Sequence, residues 1–198
     1  MSFDSNLKAG AAMVDITPPL DVPLAGSFGT RYADKILEPL RASAVFLSDG
    51  ETELGLISLE LGEIGDEPIK AIRKLVHERV GIPEENILVA ATHAHAGPVV
   101  TQSLLGAGEP DPFYNNIMIR KIASALIMAK KNAVPAKVGA GAGHEDTIAF
   151  NRRLKVPDGR VLMNFRVEKE LVQDAEPLGP IDPEVLVMRV DSLDNRNI

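Results

Sequence analysis

The apolar positions of this chain fall into short blocks separated by Gly, Pro and Asp, and the spacing inside each block predicts its element. Residues 9–16 (AGAAMVDI) are small or β-branched and read as a strand. Thr17-Pro18-Pro19 stops it, because proline cannot continue a ladder. Residues 20–40 carry Pro and Gly without a period, as an ordered surface loop would. Two further strands are expected at 41–47 and 53–59, joined through Ser48-Asp49-Gly50 as a hairpin. Within 67–80, Ile69, Ile72, Leu75, Val76 and Val80 recur at helical spacing, and Gly81 ends the helix. Residues 86–91 (NILVAA) are a continuous apolar run, the pattern of a buried central strand.

Downstream, 99–108 is small and glycine-rich with no period, and reads as a loop. A long helix is expected over 111–132, with Ile117, Ile122, Leu126 and Ala129 on its apolar side and Lys130 and Lys131 complementing its C-terminal dipole. Strands are expected at 136–142 (AKVGAGA), 161–167 and 185–190. Helices set between hydrophobic strands, with one hairpin, predict an α/β fold: a mixed β-sheet flanked by helices. Residues 191–195 form a good turn, yet no partner strand follows before Ile198. Residues 1–198 therefore read as a single domain, or as the N-terminal part of a larger one whose exposed sheet edge invites pairing with a second copy.

Composition narrows the partners. The formal net charge is −7 and the sequence pI about 5.1, which argues against nucleic acid and anionic lipid, since both need a positive field. Cysteine is absent, so any metal must use nitrogen and oxygen ligands. No apolar run approaches the roughly 20 residues of a membrane span. The start, MSFDSNLKAG, lacks a charged n-region and an apolar h-region, so a cytoplasmic location is expected.

The candidate chemistry lies in ATHAHAGP, residues 91–98, which holds two of the four histidines. His93 and His95 follow the predicted strand 86–91, and residues i and i+2 share a face wherever a strand persists. They could share a metal or a substrate, or serve as one ligand and one acid/base; alternatively one is a core group and the other a surface residue. Strand ends opening into loops are where α/β sheets build sites. His77 reads as a surface residue of its helix and His144 as an exposed loop residue. Glu60 closes an apolar strand, where it is either paired or solvated. Asp15 suits the turn before Thr17-Pro18-Pro19. Asn151-Arg152-Arg153 fits either an anion clamp or a solvated loop.

The order of motifs carries a resemblance. Val14-Asp15-Ile16-Thr17-Pro18-Pro19, Leu24-Ala25-Gly26, Pro39-Leu40-Arg41-Ala42 and Gly81-Ile82-Pro83 come first. Thr92-His93-Ala94-His95-Ala96-Gly97-Pro98, Asn151-Arg152 and Gly179-Pro180-Ile181-Asp182-Pro183-Glu184-Val185 follow. Taken together, these resemble the N-terminal catalytic domain of the neutral/alkaline non-lysosomal ceramidase family, from about Ala9 to Asp191. The resemblance implies an α/β zinc hydrolase that cleaves the amide bond of ceramide to a fatty acid and sphingosine. It implies that His93 is a zinc ligand, that His95 lies beside the reaction centre, and that Asn151 and Arg152 approach the substrate. The family's other ligands, a second histidine, a glutamate and a tyrosine, would fall beyond Ile198, as would a serine of its site. Ala94 and Ala96 stand where the family usually has Thr and Ser, and Glu60 where it usually has Asp.

The resulting expectation is a metal-dependent amide hydrolase acting on an N-acyl or lipid amide. Zinc would be bound through His93, with His95 and Arg152 in catalysis and Asn151 and Arg152 on the substrate, and the 198-residue chain would be inactive by itself. The competing expectation is a non-enzymatic domain that binds a polar small molecule in the same histidine-lined cavity.

Overall fold

The computed structural model describes residues 6–102, 106–167, 169–172, 174–194 and 196–198. Residues 103–105 of the expected loop, Asn195 of the expected turn and the first five residues lie outside these. The chain divides into two compact units, residues 1–137 with 190–198, and residues 138–189.

The first unit is built on β1 (Lys8–Asp15), β2 (Arg41–Ser48), β3 (Glu53–Leu59) and β4 (Ile87–Ala91), with helices α1 (Asp66–Val80) and α2 (Pro112–Lys131). β5 (Val134–His144) and β9 (Glu184–Ser192), of which residues 134–137 and 190–192 belong to this unit, follow in the sheet order β4-β3-β2-β1-β5-β9. β2 runs antiparallel to β1 and to β3, from Lys8 opposite Ser48 to Asp15 opposite Arg41, and from Ala42 opposite Leu59 to Ser48 opposite Glu53. β4 joins parallel to β3, with Gly55 opposite Ile87 and Leu59 opposite Ala91. A parallel pair needs a crossover, and α1 is that crossover. The sheet is therefore mixed.

Period-two alternation decides which face is covered. Ala42, Ala44 and Phe46 alternate with Ser43, Val45 and Leu47, and the register aligns the first set with Leu59, Ile57 and Gly55. Both helices pack on this face, where Ile72 and Val76 of α1 meet Met118, Ile122, Leu126 and Ala129 of α2 in one core. Gly10 permits this approach, since a Cβ there would stand 2.1 Å from the Ala129 carbonyl oxygen. The opposite face leaves Met13, Leu54 and Leu88 between 42% and 57% exposed. A smaller cluster of Ala9, Ala136 and Val190, with Leu7, Leu47 and Ile198, closes that face near β5.

Three details depart from the sequence reading. β4 is an edge strand buried on one face only, so Leu88, on the face away from the helices, is exposed although the run NILVAA looks centrally buried. The core stripe of α2 passes through Tyr114 and Met118, and Ile117 is 57% exposed. The chain beyond β9 also finds a partner. Ser192 N–H donates to the Arg196 carbonyl (2.8 Å) and Ile198 N–H to the Val190 carbonyl (3.1 Å), so the last residues fold back on the strand.

The second unit holds β6 (Arg153–Lys155) between β7 (Val161–Met163) and β8 (Glu176–Pro177), all antiparallel. Among its described residues, Leu154 and Val156 are the buried apolar ones. The strand expected over 161–167 stops at Met163, where a 3-10 turn begins, and a short helix α3 (Lys169–Val172) follows. β6 and β8 are too short to show a period and were not expected. Among the described residues no helix is long and apolar enough to cross a membrane.

Candidate functional site at the end of strand β4

The strand does not persist through the histidines. β4 ends at Ala91, and His93 takes φ +66°, the left-handed region, the sole non-glycine to do so among the described residues. Histidine is among the residue types that tolerate this region, although it remains strained there. Bonds on both sides hold it: Thr92 N–H donates to the Leu59 carbonyl (2.9 Å) and Ala94 N–H to the Leu61 carbonyl (3.0 Å).

The left-handed residue turns one imidazole back onto the other. His95 Nε2 lies 3.2 Å from His93 Nε2, with ring centroids 4.7 Å apart and planes at 85°. His93 Nδ1 lies 2.8 Å from the Gly62 carbonyl oxygen. A carbonyl can only accept, so His93 Nδ1 carries a proton and, in the neutral ring, Nε2 presents a lone pair. The proton between the rings then belongs to His95 Nε2. The pair is a directed relay ending on one available nitrogen.

Small residues make room for it. Gly26 has φ +86°, and a Cβ there would fall 2.6 Å from His95 Cγ. Gly97 sits where a Cβ would come 3.3 Å from the Glu60 carbonyl oxygen and from Leu61 Cα. The loop 24–31 is clipped to the histidine turn by Ala25 N–H donating to the Gly97 carbonyl (2.8 Å) and by a Leu24–Pro98 bridge. Arg31 adds a guanidinium bond to the His95 carbonyl. Neither Gly26 nor Arg31 was given a role from sequence; the signal was Leu24-Ala25-Gly26, a glycine with no turn period around it.

The other residues are placed as follows. Glu60 is a solvated strand end whose Oε2 accepts from Arg41 N–H (2.8 Å). Asp15 Oδ1 accepts from Thr17 N–H (2.7 Å), as a turn residue should; these bonds to Thr17, with lesser help from Lys121 and Arg41, hold its carboxyl below the usual carboxylate range. His77 is exposed, its ring against the Ile82 carbonyl. His144 lies 3.4 Å from Asp146 on an exposed segment. Asn151 and Arg152 belong to the second unit, just before β6. There Asn151 Oδ1 accepts from Arg153 N–H (3.0 Å), and the Arg152 carbonyl accepts from Asn164 N–H (2.8 Å).

The donor set fits part of a zinc site. A ligating imidazole normally gives its other N–H to a carbonyl or carboxylate, as His93 does to Gly62. The His93 Nε2 lone pair that would take the metal is the one that faces His95 Nε2 at 3.2 Å, so a metal held there would take the place of that contact. A catalytic zinc normally takes three protein ligands, and among the described residues no group of three or more His, Asp or Glu converges.

An α/β fold with a mixed sheet and a polar site in the turn beyond one of its strands is the class so defined. Over 98% of its length this fold matches the crystal structure of neutral ceramidase from Pseudomonas aeruginosa, with a TM-score of 0.77 and 20% identity. A structure described as ceramidase complexed with C2 matches with a TM-score of 0.76 and 21% identity, again over 98% of this chain. The chain spans 31% and 30% of those two chains, about a third of their length. No family model and no curated protein sequence matches.

Proposed function

We propose that this chain forms part of a ceramidase-like hydrolase that cleaves the amide bond of an N-acyl substrate, with a zinc ion held through His93. The observation that carries the reading is the histidine relay, in which His93 Nε2 is oriented by the Gly62 carbonyl and faced by His95 at 3.2 Å. The likeness in fold to neutral ceramidase supports it. When bound, zinc supplies Lewis-acid polarisation and a water of lowered pKa. His95 moves a proton at Nε2 as the leaving nitrogen departs. The family resemblance assigns the developing oxyanion to Arg152 and the substrate to Asn151 and Arg152, both residues of the second unit. A cleft of about 560 Å³ lined by Leu20, Leu24, Ile36, Leu37, Leu40 and Ala96, the residue after His95, offers an apolar wall for an acyl chain.

With His93 and His95 as the nitrogens at hand, the 198-residue chain alone is short of a three-ligand set and is expected to be inactive. The same apolar cleft favours a second reading, a domain that binds an amphiphilic small molecule without chemistry. Metal analysis and N-acyl amide hydrolysis, run on a longer protein carrying this chain, separate the two. Hydrolysis lost in His93→Ala together with bound zinc supports the enzyme. An active protein free of metal would end the zinc proposal, and binding of an N-acyl amide without turnover would favour the binding domain.

A further inference from the structure

We propose that Arg31 is a positioning residue for the histidine pair, acting on His95 through its backbone rather than its ring. Both imidazoles are exposed, so packing alone does not hold them. Arg31 is fixed at both ends. Its carbonyl accepts from Leu24 N–H (2.8 Å), closing the loop on itself, and its Nε donates to Ser27 Oγ (2.8 Å). Its Nη2 then reaches the His95 carbonyl and, at 3.4 Å, the Ala25 carbonyl.

One planar group thus ties the loop 24–31 to the turn that carries the relay. Guanidinium suits the task, because its donors are spread over a rigid fork and one plane serves several acceptors. The His95 carbonyl adjoins the peptide that follows the strained turn, so releasing it frees that peptide to rotate. The ring of His95 would then leave the 3.2 Å contact with His93. Gly26 sets how near the loop can lie, and Arg31 sets how firmly.

Long-range proton–nitrogen spectra of the histidine rings test this in the full chain. Four histidines are present, and His77 and His144 serve as internal references. Arg31→Ala should keep the fold, judged by circular dichroism, while His93 and His95 lose their fixed tautomer pattern and the ring proton shared between them. The two reference rings should not change. Arg31→Met, which keeps the apolar stem without a donor, should behave alike. Arg31→Lys, or guanidinium ion added to Arg31→Ala, should restore part of the pattern. A wild-type pattern for His93 and His95 in either folded donorless variant would overturn the proposal. The catalytic consequence rests on the hydrolase reading: there Arg31→Ala should lower turnover by up to about a hundredfold, the scale of a misplaced catalytic group. A wild-type protein with no hydrolase activity but the expected spectral change would sink that reading and leave the clip standing.

Discussion

Replacing Gly26 with alanine tests the packing of the site directly. At φ +86° an L-residue loses about 1–2 kcal/mol to left-handed backbone strain. The added Cβ would stand 2.6 Å from His95 Cγ and 2.7 Å from its Cα and Cβ, far inside ordinary carbon contact at 3.5–4.0 Å. The chain can relieve this only by separating the loop 24–31 from the histidine turn, and overpacking of this kind costs roughly 1–3 kcal/mol. The two effects sum to about 2–5 kcal/mol. The unfolding midpoint of a chain this size should then fall by a few to about 20 °C.

Gly29 supplies the control. It also has positive φ, +77°, but a Cβ there meets nothing within 4 Å. Gly29→Ala should therefore carry the backbone strain alone, about 1–2 kcal/mol. Urea unfolding of both variants, at equal m-values, isolates the contact with His95 as their difference. If the two lose the same stability to within about 0.5 kcal/mol, the loop does not lie against His95 as described.

His93→Gly should be more stable than His93→Ala by about 1–2 kcal/mol, because only alanine keeps the left-handed strain once the ring is gone; equal stabilities by urea unfolding would place His93 outside that region. Tyr114→Phe removes the hydroxyl that donates to the Ile16 carbonyl and should cost about 1–3 kcal/mol, since that buried oxygen loses its partner. Burial, with a smaller push from the charge of Asp15, raises the Tyr114 phenol, so alkaline titration should leave it protonated where a free phenol ionises, near pH 10.0. Asp15 has a folded pKa below its ordinary 3.8, so its contribution is complete above 3.8 and is lost as pH falls through the lower folded value. Asp15→Asn should flatten that acid limb in urea unfolding across pH 2–5, and an unchanged slope would refute the bond to Thr17.

The elements legible in the sequence were those with a clear period and a decisive stop. β2 and β3 show an alternating face and a turn, and α1 repeats its apolar residues at three and four until Gly81, whose φ of +77° caps it. α2 was legible in extent, but Ile117 and Met118 are adjacent and equally apolar. Only the position of the sheet decides that Met118 is buried. β4 misleads for a related reason: hydrophobicity reports the apolar run, not whether both faces of the sheet are covered there. The second unit depends on strands of two and three residues, below any periodic signal. At the site, the residue types of the pair were legible and their geometry was not. A left-handed histidine has no sequence mark, and the arginine that clips its neighbour lies 64 positions away.

That geometry also explains the spacing of the two histidines. On a persisting strand, residues i and i+2 rise about 6.7 Å apart and their rings run side by side, too far to share a proton. A single left-handed residue converts the parallel pair into a convergent one, with nitrogens at 3.2 Å. Strain of this sort amounts to about 1–3 kcal/mol and persists only where neighbours over-determine it. Here they do: Leu59 and Leu61 fix the backbone on either side, and Gly62 receives the ring nitrogen. The small residues around the pair follow from the same requirement. A Cβ on Gly62 would lie 3.2 Å from the Ala94 carbonyl oxygen, and one on Gly26 would meet His95 itself. Two glycines and one strained histidine are what bring the two rings into contact.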